Sequence, residues 1–88
     1  MVFVEFVSSN SPYAGAKHHF VGASLGDVLA ETKDGKQFGF ADFSSHREIT
    51  EDEARVLQLE DLEAGISAVQ ERGCKSFKLG TPRRLRAW

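Results

Sequence analysis

Few residues in this chain could do chemistry, and their spacing keeps them apart. His18, His19 and His46 are the only histidines, and so the candidates for proton transfer or metal ligation. His18 and His19 are adjacent, and adjacent residues on a helix point about 100° apart, which prevents both rings from closing on one ion. No carboxylate stands at a metalloprotease-like offset from them. Ser44-Ser45-His46 sets hydroxyls beside an imidazole, but sequence neighbours seldom face each other as nucleophile and base must, and no third group orients the ring. Gly22, Gly26, Gly35 and Gly39 match neither phosphate-loop pattern. Cys74 is the single cysteine, which excludes an internal disulfide and a multi-cysteine zinc cage. It reads as a small buried hydrophobe at a strand start and fits a reducing, cytoplasmic setting. The expectation is a protein that is not an enzyme and holds neither metal nor cofactor.

What remains is binding chemistry. Net charge is −2, unevenly spread. Glu48 to Glu63 is acidic apart from Arg55, and Arg72 to Arg86 carries bases and no acid. Such a division offers two surfaces of opposite sign, or one that pairs with the other. Low net charge argues against strong non-specific binding to nucleic acid. Glu51, Asp52, Glu60 and Asp61 are the candidates for charge contacts with a basic partner.

The elements that must position these groups come next. Eighty-eight residues, 41% of them hydrophobic and 27% charged, suit one ordinary globular domain. We place that domain at residues 1–80, with a basic tail at 81–88. No apolar run is long enough to span a membrane, and MVFVEFVSSN lacks the basic leader of a signal peptide. Val2 to Val7 is nearly continuous in valine and phenylalanine, as a central, largely covered strand requires. Ser11-Pro12 is a helix start, followed by Tyr13, Ala16, Phe20 and Val21 at helical spacing. Leu25 to Phe43 contains Asp34-Gly35 between strand-like runs, which predicts a two-residue hairpin. Its register puts Leu29, Phe38 and Phe40 on one sheet face, with small residues on the other. Ser44 to Glu48 reads as a polar loop.

Thr50-Glu51-Asp52-Glu53 has the form of a capping box. Val56, Leu59, Leu62, Ile66 and Val69 then fall on one helical face, with a stop at Gly73. Gly65 weakens that helix, and a break near Glu60-Asp61 is open. Cys74 to Leu79 alternates as a last strand, ended by Gly80-Thr81-Pro82. The expected order is βαββαβ: an α+β, ferredoxin-like, single-layer antiparallel sheet with helices on one face.

Lys36-Gln37-Phe38-Gly39-Phe40-Ala41-Asp42-Phe43 resembles the central octapeptide of the RNA recognition motif, and Val2-Phe3-Val4 resembles the start of that family's hexapeptide. Gln37 and Ala41 depart from the pattern, as do Phe6 and Val7. The resemblance implies a platform of Phe3, Phe38 and Phe40 on which bases stack, with Lys36 on a phosphate. Lys75, Lys78, Arg83, Arg84 and Arg86 would add positive charge.

Two functional expectations follow. The first is a small regulator, adaptor or inhibitor that docks on a protein partner or a second copy through Phe3, Leu29, Phe38 and Phe40, with the acids alongside. The alternative is single-stranded RNA binding on that same aromatic face. Both require the face to look outward, whereas the binary pattern also permits it to be the covered one.

Overall fold

The computed structural model describes residues 1–8, 15–34 and 43–82. Four strands and three helices alternate along these residues: β1 (Val2–Ser8), β2 (Lys17–Gly22), α1 (Leu25–Asp34), β3 (Phe43–Ile49), α2 (Glu51–Val56), α3 (Leu62–Arg72) and β4 (Ser76–Leu79). The sheet runs β3-β1-β2-β4, and every neighbouring pair is antiparallel. The α+β class holds. Among the described residues the order is ββαβααβ rather than βαββαβ, and three segments differ from expectation; Ser11, Pro12 and Tyr13, the expected helix start, lie outside them.

Lys17–Gly22 is a strand, not the continuation of a helix. Gly15 has a φ of +85°, a left-handed turn that interrupts any helix passing through it. The histidine, phenylalanine and valine that follow alternate between two buried faces.

Leu25–Asp34 is a helix, not the first half of a hairpin. The Ser24 hydroxyl accepts the Asp27 amide at 3.2 Å and donates to the Asp27 carboxylate at 3.1 Å, a cap that commits the chain to a helical turn. Leu25, Val28 and Leu29 then share a face at the i, i+3, i+4 spacing. The return strand of the expected hairpin, including Lys36, Phe38 and Phe40, lies outside the described residues. Finally, the polar run Ser44 to Glu48 is the body of β3. It pairs with β1 from Phe3↔Ile49 to Ser8↔Phe43 at one end of the described sheet. Residues 45–48 are exposed, and polar side chains suit such an edge strand.

The helices pack on both faces of the sheet, which corrects the expectation of helices on one. Strand alternation divides β1. Phe3 faces Val21, Ile49, Leu79 and the inner residues of α2 and α3, among them Ala54, Leu62, Ile66 and Val69. Val4 and Phe6 face Phe20, with Val28 of α1 sealing that side and Val2, Leu25 and Leu29 at its margin. Phe6 and Phe20 meet edge to face at a centroid distance of 5.3 Å. A continuously apolar strand needs cover on both faces, and β1 has it.

The expected long helix is two. Thr50 caps α2 by accepting the Glu53 amide at 3.0 Å, one of the two bonds of a capping box, while the Glu53 carboxylate takes Arg47. The chain leaves the helix after Val56, passes Gln58 at a φ of +52° and turns Leu59 into the core. α3 starts at Leu62 and ends on Gly73 in the left-handed conformation, whose amide reaches the Ala68 carbonyl. Gly65 lies where α3 comes closest to the sheet. A Cβ there would stand 2.8 Å from Leu79 Cδ2 and 2.9 Å from Val21 Cγ1. Pro82 bridges back to Leu59, and the Glu60 amide donates to the Thr81 carbonyl.

Candidate functional site

Of the four residues expected to share one open face, the two that are described, Phe3 and Leu29, do not share one. Phe3 is 4% exposed, in the cluster beneath α2 and α3. Leu29 is half-buried on α1, against the cluster of the opposite face. A whole sheet separates them, because one belongs to a strand and the other to a helix rather than to two paired strands. The shared outward face of Phe3 and Leu29 is therefore withdrawn. Their companions Phe38 and Phe40 lie outside the described residues, as do Lys36, Arg83, Arg84 and Arg86. Lys75 and Lys78 are exposed at β4.

The four acids are brought together differently. Glu51 and Asp52 occupy the first turn of α2, and Glu60 and Asp61 the turn between α2 and α3. All four are exposed. Carboxylates in a first turn suit the positive end of the helix dipole. Val56, the last residue of α2, is 80% exposed, an apolar side chain left in water. A cleft of about 340 Å³ opens at this junction, lined by Arg55, Gln58, Leu59, Glu60, Leu62 and Glu63. The Arg55 guanidinium spans it, donating to Glu63 on α3 and, at 3.4 Å, to Glu51 one turn back. Those bonds, to Glu63 first, hold Arg55 still more firmly in its charged form. This surface is acidic, contains an apolar spot and already binds one guanidinium.

The sequence did not disclose the second polar arrangement. Register sets Arg47, Glu5 and His19 in one row across β3, β1 and β2. Glu5 is 5% exposed and His19 2%. His19 Nε2 lies 3.0 Å from Glu5 Oε2, and Arg47 Nε donates to Glu5 Oε1 at 3.1 Å. Arg47 continues outward, giving Nη2 to Glu53 Oε2 of α2 at 2.6 Å. Burial alone would raise the Glu5 pKa. The hydrogen bonds from His19 and Arg47, and the charges of Arg47 and Lys17, outweigh it and hold the carboxyl below its ordinary range. An ionised carboxylate only accepts, so His19 Nε2 carries the proton. Glu5 breaking an apolar run was the available signal; its partners depend on strand order.

The remaining candidates do not converge. His18 and His19 point to opposite faces of β2 rather than to neighbouring directions on a helix. Burial, then the charges of Lys78 and His19, depress the His18 pKa. His46 packs on the Phe6 ring at 5.6 Å, while alternation turns Ser45 to the other side of β3. Among the described residues no three His, Cys, Asp or Glu side chains cluster to hold a metal ion, and no helix is long and apolar enough to cross a membrane. Comparison with protein-family models, curated proteins and solved structures gives no match.

Proposed function

We propose that this protein is a small non-enzymatic regulator, adaptor or inhibitor that docks onto a protein partner through the outer surface of α2 and the turn that follows it. The observation that carries this reading is the company Val56 keeps. An apolar side chain in water ends α2, the helix that carries Glu51 and Asp52, and its neighbour Arg55 lines the cleft together with Glu60. An apolar spot rimmed by charge is the usual make-up of an interface, and the sign of the rim selects a basic partner. Helices pack on both faces of the sheet, where Phe3 and Leu29 are drawn into separate cores.

Capture from native lysate tests the proposal. The protein is expected to retain a partner after nuclease treatment. Charge reversal at Glu51→Lys with Asp52→Lys, or at Glu60→Lys with Asp61→Lys, is expected to release it. Retention that disappears with nuclease would transfer the function to RNA, and retention unchanged by either reversal would remove this surface from it.

A further inference from the structure

A six-residue helix has little to hold it in place. Isolated helices shorter than about 12 residues are marginal in water, so α2 depends on tertiary contacts. Ala54 is its one buried side chain, and alanine buries little area. Val56 faces solvent. Leu57 at the C-cap is half-buried against the core, and the other contacts of Glu51–Val56 are polar. Arg55 pairs outward with Glu51 and Glu63, both exposed, where solvent screens the interaction. Glu53 is different, because its partner Arg47 is anchored at the other end to the buried carboxylate of Glu5.

That relay runs from the middle of the sheet to the first turn of the helix. His19 orients Glu5, Glu5 aims the Arg47 fork, and the fork takes Glu53. Glu53 is also the residue whose amide closes the Thr50 cap, so the relay and the cap meet at one position. The charged groups facing Glu5 are His19 and Lys17 from β2 and Arg47 from β3, with Glu53 of α2 beyond the arginine. β4 contributes the apolar Leu79 opposite His19.

We propose that α2 is an acid-released latch, held on the sheet by the Glu5–Arg47–Glu53 relay and freed, while the rest of the domain stays folded, when Glu5 takes a proton. The direction follows from the electrostatics. A carboxyl held below its ordinary range keeps its charge at neutral pH and loses it only as pH falls below that range. Protonated Glu5 no longer fixes the fork, and Arg47, half in water already, turns to solvent. Glu51 and Asp52 ride on α2, so the latch governs how half of the acidic surface is presented. The latch itself does not depend on what that surface binds.

Amide protection measured by NMR on the whole chain tests it. The reporters are Ala54, Leu57 and Gln58, which bond to Thr50, Glu53 and Arg55, against Gly65 and the body of α3. At about pH 6, Arg47→Gln and Glu53→Gln are each expected to lower α2 protection about fivefold and to leave α3 unchanged. Acidification toward about pH 3 should do the same to the native chain. Glu5→Gln should make α2 protection low and independent of pH, which a merely structural substitution would not. Protection of α2 that ignores Arg47→Gln and Glu53→Gln overturns the proposal. So does protection of α2 and α3 that falls by one common factor, the mark of global unfolding.

Discussion

Glu5 and Gly65 are residues whose value depends on what packs against them. Glu5 is ionised within the sheet because His19 and Arg47 satisfy it, and truncation leaves buried His19 without its acceptor while Arg47 keeps Glu53. Glu5→Ala is expected to cost about 1–3 kcal/mol in urea denaturation at neutral pH, as leaving a buried donor unsatisfied does. The pH profile carries the sign. The Glu5 contribution is whole above the ordinary carboxylate range and disappears as pH falls through its depressed pKa. Part of the acid limb of the native stability curve should therefore be missing from Glu5→Ala. Gly65 argues against propensity alone. Alanine would gain about 1 kcal/mol of helix preference. Its methyl would, however, press on Leu79, Val21 and Phe77 at 2.8–3.0 Å, and overpacking of that kind costs about 1–3 kcal/mol. Gly65→Ala is expected to lower the melting temperature rather than raise it.

Among the elements, those with strong local chemistry were legible in the sequence. β1 reads as a covered strand from its valines and phenylalanines, the Thr50–Glu53 box opens α2, and Gly73 closes α3. The allowed break between α2 and α3 is present, over residues 57–61, and takes in Glu60 and Asp61. The misread elements are those where two periods compete. Leu25 to Ala30 satisfies alternation and helical spacing alike, and the Ser24–Asp27 cap decides between them. Lys17 to Gly22 fits a helix only if Gly15 can be passed, and its left-handed φ forbids that. Polarity marked Ser44 to Glu48 as a loop because an edge strand needs no apolar side chains. Of the candidate site, the acids were visible as a charge run. The Arg47–Glu5–His19 row was not, since it exists only once β3 and β2 flank β1. The caps also give an element-scale prediction. Ser24→Ala is expected to destabilise the domain by about 1 kcal/mol, seen in chemical denaturation, through loss of the first turn of α1.

For the whole molecule, one sheet serves two cores. Phe20 and Val28 hold α1 on one side, while Phe3, Ile66 and Leu79 hold α2 and α3 on the other. β1 contributes to both, so the halves should melt together. Phe20→Ala is expected to cost about 3–5 kcal/mol and, in calorimetry, to shift a single transition rather than split it. The central claim is that the molecule meets its partner along the acidic outside of α2 and the turn after it. A photoreactive residue in place of Val56, irradiated in native lysate, tests this most directly, with Gln70 on α3 as the control position. The account predicts a protein adduct at position 56 that survives nuclease, and none at position 70. Equal labelling at the two positions, or an adduct made of nucleic acid, would contradict it.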